Sequence, residues 1–346
     1  NGGAGNNRID GRQAGAVLFL TGNDGNDTLL GGSMNDLISG GNGADVLSGG
    51  AGIDTVTYAA SSAGVTVVVN GVANSGGDAQ GDTLAGVENL IGSNFNDTLT
   101  GTTADDNFFG SAGNDSIAGG GGTTNGDFIF YGPINGYAGI TGPITVTFGP
   151  TLYTGTVTKP TGTDTFTGIR GVSGTTAADT LIGTTNTSTN YRFPIQLTGA
   201  AGNDTIDGKG LTINIAAYQF SPAGINVNLQ TSTSGSDVFG TAQDGYGTTD
   251  TLKNVVRVRG SGFDDTIVGS NASDFFDGSL GNDTYDGVGS QTTTNTLAYD
   301  TIDFQGGVRS VTVTAGDPVS GLFGGQRASV SKVSLTGGAN YTDTLS

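Results

Sequence analysis

Four aspartates, Asp27, Asp36, Asp45 and Asp54, stand nine residues apart. Each is followed two positions later by an apolar side chain: Leu29, Ile38, Leu47 and Val56. The turns before them are glycine-rich; residues 40–48 read GGNGADVLS and residues 49–57 read GGAGIDTVT. Both share the pattern G-G-x-G-x-D-x-U-x, with U apolar. A glycine-rich turn takes positive φ and brings backbone carbonyls close together, which residues with a Cβ resist. Carbonyl oxygens and a short carboxylate form the hard-oxygen shell that Ca²⁺ prefers, at about 2.3–2.6 Å. Ion binding, rather than covalent catalysis, is the chemistry this spacing serves.

The elements that would position these groups follow from the same period. Each x-U-x is a short strand whose central side chain faces inward, because strand side chains alternate between faces. Two nine-residue halves make one coil of a flattened solenoid, so turns on one edge lie two repeats apart. Asp27 is then expected to stack on Asp45, and Asp36 on Asp54. An ion between stacked turns would also cancel the repulsion between their carboxylates.

A longer repeat overlies the short one. Residues 81–101, GDTLAGVENLIGSNFNDTLTG, recur as residues 163–183, TDTFTGIRGVSGTTAADTLIG, and as residues 249–269, TDTLKNVVRVRGSGFDDTIVG. The corresponding aspartates are Asp82, Asp164 and Asp250, then Asp97, Asp179 and Asp265. Residues 341–346, YTDTLS, begin a fourth copy. Alternating stretches precede each copy, at residues 54–70, 128–148, 213–229 and 300–314. Nonapeptide turns return after the blocks: Asp97, Asp106 and Asp115 are nine apart, as are Asp265, Asp274 and Asp283, and Asp204 lies in GAAGNDTID. The chain therefore reads as four modules, at residues 1–122, 123–208, 209–290 and 291–346, the last cut short. Val, Ile, Thr, Tyr and Phe between Gly, Asn and Asp turns predict an all-β chain, and no stretch has a helical period. Asp82, Asp164 and Asp250 suit either ligand or hydrogen-bonding turn roles.

Composition supports an ion-filled stack. The chain has 65 glycines in 346 residues and a net charge of −19, and Glu88 is its one glutamate. A surface that was merely acidic would mix Asp and Glu, whereas a tight turn admits the shorter arm. Nucleic acid is excluded as a partner, since its binding needs basic patches. With no cysteine or histidine, disulfides, thiolate metal sites, imidazole acid–base chemistry and Ser-His-Asp triads are excluded. No apolar run reaches the roughly 18 residues of a membrane span. No N-terminal segment reads as a signal peptide, and both ends break mid-pattern, which predicts a portion of a longer repeat array.

These residues resemble the RTX, or haemolysin-type calcium-binding, repeats of bacterial proteins exported by type I secretion. The longer block and its alternating prelude are similar to a companion module of large RTX surface proteins. The resemblance implies a parallel β-roll or β-solenoid, built from Ca²⁺-binding nonapeptide turns and longer strand modules. It also implies several Ca²⁺ ions and export as an unfolded chain that folds outside the cell. Ligand roles carry over to Asp27, Asp36, Asp45, Asp54, Asp97, Asp106, Asp115, Asp179, Asp204, Asp265, Asp274 and Asp283. The pattern is broken where Asn7 replaces the aspartate, where Met34 and Phe95 replace the fourth-position glycine, and in the glycine-poor turn before Asp179. Weaker sites are expected there.

Other features have plainer readings. The Asn-Asp-Thr triplets at Asn26, Asn96, Asn203 and Asn282 match a glycosylation pattern but coincide with the turn motif. The threonine-rich inserts 184–190 and 291–297 read as surface loops. One phenylalanine of each pair, Phe108–Phe109 and Phe275–Phe276, falls at an inward position. Arg257 and Arg259, alternating with valines, read as the solvent face of a half-buried strand. Asp105 and Asp264, beside ladder aspartates, read as solvated turn residues.

The function expected is that of a non-enzymatic extracellular structural protein: part of a bacterial surface layer, filament or adhesin stalk. Self-association with further repeats and contact with a bacterial cell surface are the expected partnerships. The alternative is the RTX secretion and folding module of an exported lipase, protease or polysaccharide-modifying enzyme. A solenoid lyase is a third class, for which the chain assembles no compact Asp/Lys/Arg site.

Overall fold

A computed structural model describes residues 1–71, 74–122, 125–133, 137–188, 193–270, 274–278, 280–286, 301–304, 308–315, 328–334 and 340–345. The chain divides into two compact units, Asn1–Ser173 and Gly174–Ser346. Among the described residues the secondary structure is strand apart from one 3-10 turn, Gly77–Ala79. The fold is a parallel β-roll of stacked sheets.

In the first unit, successive half-coils alternate between sheets. Strands Phe19–Asp24, Leu37–Asn42 and Thr55–Thr57 stack in parallel, pairing Leu20 with Ile38 and Ile38 with Val56. The intervening strands Arg8–Asp10, Thr28–Leu30, Val46–Ser48 and Thr83–Ala85 form a sheet of their own, with Leu29 on Leu47 and Leu47 on Leu84. Further along, Val67 pairs with Leu99, Leu99 with Ile117, and Ile117 with Phe166. The U positions Leu29, Ile38, Leu47 and Val56 have no solvent exposure, and Leu99 and Ile117 almost none. Burying such a side chain stabilises by about 1.5–3 kcal/mol, so one inward residue per half-coil is the main apolar term of a thin core.

The second unit repeats the scheme. Leu181 stacks on Ile206 and Ile206 on Leu252, while Val258 stacks on Phe276 and Val227 on Ile267. Ile267 and Phe276 are buried, as their U positions require.

The sequence predicts a parallel roll throughout, and the structure adds antiparallel excursions to it. Thr145–Phe148, Gly155–Lys159 and Gly162–Thr167 form an antiparallel meander in the first unit. Asn226–Ser234, Asp237–Gln243 and Thr249–Lys253 do the same in the second, as do Val308–Ala315, Ala328–Ser334 and Asn340–Leu345. Short turns such as Pro160–Thr161 make this possible, since antiparallel strands need no crossover. The meander spends the extra residues of the long repeat sideways, and the stacking register resumes beyond it.

Arg257 is buried rather than solvent-facing. Its guanidinium lies 2.8 Å from Asp277 Oδ1 and stacks over Phe275, while Arg259 reaches Asp277 Oδ2 at 2.9 Å. Alternation placed this strand correctly, but the neighbouring strand supplies a carboxylate that lets the arginine stay inside. Phe109 is buried as well as Phe108, because Phe130 and Tyr137 cover the second face of its strand.

Candidate metal centre

The aspartates of the turns are buried, and they join successive coils. The backbone N–H of Asn7 donates to Asp27 Oδ1 at 2.6 Å, that of Asp27 to Asp45 Oδ1 at 2.7 Å, and that of Asp45 to Asp82 Oδ1 at 2.8 Å. A second row runs from Leu18 to Asp36, from Asp36 to Asp54, both at 2.7 Å, and from Asp54 to Glu88 Oε2 at 2.9 Å. Beyond them, Val65, Asp97 and Asp115 donate in turn to Asp97, Asp115 and Asp164, and Asp106 donates to Asp127. In the second unit Asp179 donates to Asp204, Asp204 to Asp250, Ile225 to Asp265, and Asp265 to Asp283. Each carboxylate thus satisfies a turn N–H of the preceding coil with one oxygen. Asp274, also buried, takes its bonds from Ser270.

The residue before the aspartate builds a counter-running ladder. Asn26 Oδ1 accepts the N–H of Ala44, Asn35 that of Ile53, and Asn96 that of Asn114. Asp264 and Asp105 occupy the same position and accept from Asn282 and Asn125. They are turn caps rather than freely solvated groups. The glycosylation-like asparagines at 26, 96 and 203 owe their place to this capping.

The second carboxylate oxygen separates the turns into two kinds. Oδ2 of Asp27, Asp45, Asp54 and Asp204 is buried with no hydrogen-bond partner. In these four turns the residue four before the aspartate has left-handed backbone: Asn23, Gly41, Gly50 and Ala200, at φ 79°, 94°, 108° and 71°. The fourth-position glycines Gly25, Gly43, Gly52 and Gly202 also have positive φ, from 117° to 136°. In six others the turn closes on itself. Gly32, Ser93, Thr102, Thr175, Ser261 and Ser270 donate their N–H to Oδ2 of Asp36, Asp97, Asp106, Asp179, Asp265 and Asp274. Their fourth positions carry Met34, Phe95, Ala104, Ala177, Phe263 and Ala272. Without glycine there, the turn cannot take the left-handed path cheaply, and its own amide swings onto the carboxylate.

The open turns fit Ca²⁺. A Cβ on Gly22 would meet both Asp27 Oδ2 and the Gly40 carbonyl oxygen; one on Gly49 would meet Asp54 Oδ2 and the Gly86 carbonyl. Carboxylate and carbonyl oxygens therefore converge on a glycine Cα with no side chain between them. Among the described residues no three acidic side chains converge on one point, so carbonyls must supply the remaining oxygens. The cost of the bare oxygens shows in the carboxyl acidities. Burial pushes Asp54 up to about 6 and Asp204 up to about 9, and raises Asp45. A bound divalent ion would stabilise the charged form and reverse these shifts.

Three tyrosines and a lysine complete the ladder where the long modules rejoin it, and sequence reasoning did not find them. Tyr58 donates its hydroxyl to Asp82 Oδ2 at 2.9 Å, Tyr131 to Asp164 Oδ2 at 2.5 Å, and Tyr218 to Asp250 Oδ2 at 3.0 Å. The recurrence of a tyrosine upstream of each of these aspartates was the available signal. Asp82, Asp164 and Asp250 thereby act as hydrogen-bonded ladder members. Lys159, fully buried, places Nζ 2.9 Å from Asp115 Oδ2 and also pairs with Asp164 Oδ1.

The family model for the RTX calcium-binding nonapeptide repeat (4 copies) matches residues 1–13, 21–56, 91–124, 196–210 and 257–289. The matched segments contain the four open turns at Asp27, Asp45, Asp54 and Asp204. No curated protein matched the chain. Repeats of this kind are typical of proteins exported by type I secretion, which implies an extracellular location. Among the described residues no helix is long and apolar enough to cross a membrane. This chain carries RTX calcium-binding nonapeptide repeats, and multiple Ca²⁺ ions are its cofactor.

Proposed function

We propose that the chain is a structural, non-catalytic segment of a bacterial surface assembly: a surface layer, filament or adhesin stalk. The observation that supports this reading is the continuity of the aspartate ladder across the inserted modules. Asp45 bonds Asp82 across 37 residues, Asp115 bonds Asp164 across 49, and Asp204 bonds Asp250 across 46. Insertions of different length leave the stacking direction unbroken within each unit. A rod that transmits force along its axis and carries lateral decoration needs this property.

Calcium would time the assembly. The unfolded chain has abundant glycine and carboxylate and little apolar surface to offset its backbone entropy. An ion that binds only the folded coil adds RT ln(1 + [L]/Kd), about 1.4 kcal/mol per site at ten times Kd. In low cytosolic Ca²⁺ the chain stays extended enough for export, and extracellular Ca²⁺ folds it. The test is electron microscopy and light scattering of the purified chain with and without millimolar Ca²⁺. Ca²⁺-dependent fibres or lattices are expected. A folded, Ca²⁺-loaded but monodisperse monomer would overturn the assembly role and favour a secretion module of an exported enzyme.

A further inference from the structure

The three points where a long module rejoins the ladder are built alike. In each, an upper aspartate donates its N–H to Oδ1 of a lower one, and a buried tyrosine donates to Oδ2 of that lower aspartate. The sets are Asp45–Asp82–Tyr58, Asp115–Asp164–Tyr131 and Asp204–Asp250–Tyr218. They differ at one atom. Oδ2 of Asp45 and of Asp204 has no hydrogen-bond partner, whereas Oδ2 of Asp115 lies 2.9 Å from the Lys159 ammonium.

The turn before Asp115 shares one feature with the open turns. Its fourth-position glycine, Gly113, has φ 103°, and Ser111 reaches Asp115 Oδ2 only with its hydroxyl, at 3.5 Å. That hydroxyl contact is long, and the shorter bond to Oδ2 comes from outside the turn. The closure comes from the meander. Val157 and Lys159 point to the same inward face of strand Gly155–Lys159, and the Pro160–Thr161 turn holds Lys159 opposite Gly162. The ammonium also lies over the Tyr131 ring, 5.8 Å from its centroid.

Local charge separates two of the steps further. The residue corresponding to Lys159 in the second unit is Asp244. Val157 pairs with Asp164 as Ala242 pairs with Asp250, and Asp244 follows Ala242 by the same two positions. The Asp115–Asp164 step thus holds a lysine at the strand position where the Asp204–Asp250 step has Asp244.

We propose that the Lys159 ammonium is a tethered cation that takes the place of Ca²⁺ at the Asp115–Asp164 step, so that this coil closes without the metal. The hard, compact ammonium contacts the carboxylate oxygen whose counterparts at the other two steps are buried without a hydrogen-bond partner. It supplies one positive charge instead of two, at a strand position that carries Asp244 in the second unit. The coil around Asp115 then forms a calcium-independent nucleus inside a stack that otherwise waits for Ca²⁺.

The test is Lys159→Met in the full chain, which keeps the volume and removes the charge. Wild type and variant are refolded in millimolar Ca²⁺, and tightly bound Ca²⁺ is counted by equilibrium dialysis. The variant is expected to hold one more ion than wild type. It should melt at a lower temperature than wild type in chelator, with the deficit largely recovered in Ca²⁺. Terbium luminescence locates the added ion: K159M should gain tyrosine-sensitised emission, and K159M combined with Tyr131→Phe should lose that gain. An unchanged or lower Ca²⁺ count in K159M would overturn the proposal, as would added emission that persists without Tyr131.

Discussion

The Tyr218 hydroxyl donates to Asp250 Oδ2 at 3.0 Å in a site where both groups are shut away from water. The same bond recurs at Tyr58–Asp82 and Tyr131–Asp164. Each pair caps a carboxylate whose other oxygen already serves the ladder. Burial raises the tyrosines well above their ordinary acidity, so the phenol remains a donor at any physiological pH. Module after module, a phenol rather than a metal closes the far side of the rejoining aspartate.

Tyr218→Phe should therefore destabilise the second unit by roughly 1–3 kcal/mol, the cost of stranding a buried acceptor. Thermal melts in saturating Ca²⁺ measure this without confusing it with ion loss. An unchanged melting temperature would show that water or another donor serves Asp250.

Gly43→Ala tests the open turn. Gly43 sits at φ 136°, and a Cβ there would meet the Gly25 carbonyl oxygen. Backbone strain of about 1–3 kcal/mol is expected, with weaker Ca²⁺ binding because the turn can no longer hold Asp45 Oδ2 bare. Isothermal titration should show reduced affinity or one site fewer. Ala104→Gly, in a turn closed by Thr102, should by contrast change affinity little on its own, because the Thr102 amide and hydroxyl remain on Asp106.

Chelated protein should lose stability as pH rises. Burial pushes Asp82 and Asp250 from 3.8 up to about 7 and Asp54 up to about 6. Between the unfolded and folded values the folded state holds protons that the unfolded state has released. Stability from these groups is therefore full near pH 4 and declines through pH 7. Circular dichroism in chelator should show more β structure at pH 5 than at pH 8. Millimolar Ca²⁺ should flatten or reverse the trend, since the ion replaces the proton. Stability in chelator that climbs from pH 5 to 8 would contradict this picture.

Magnesium should fold the chain poorly. The open turns offer a carboxylate oxygen and carbonyls fixed by backbone geometry, which suits the irregular shell of Ca²⁺ better than the tight octahedron of Mg²⁺. A cooperative β signal at millimolar Ca²⁺, absent at equal Mg²⁺, is the expected outcome. Equal folding in both would mean that generic charge screening is enough.

Much of this protein was legible in its order of residues. The nine-residue spacing of Asp27, Asp36, Asp45 and Asp54 set the stacking register that pairs Leu29 with Leu47 and Ile38 with Val56. A strict period carries that much, because in a solenoid each contact is a fixed sequence offset. Sequence marked the turns of Met34, Phe95 and Asp179 as weaker, and these close on their own aspartates, but it did not show the backbone state that closes them. Gly32, Gly41 and Gly50 occupy the same motif position. Gly41 and Gly50 adopt positive φ, while Gly32 donates its amide to Asp36. Asn23 and Ala200 take the left-handed form without being glycine. The path of the whole turn, set by the residue two places on and by the coil stacked beside it, selects between these states. Lys159 lies beyond any fixed offset, because it reaches Asp115 from a meander 44 residues away that only the folded stack brings home.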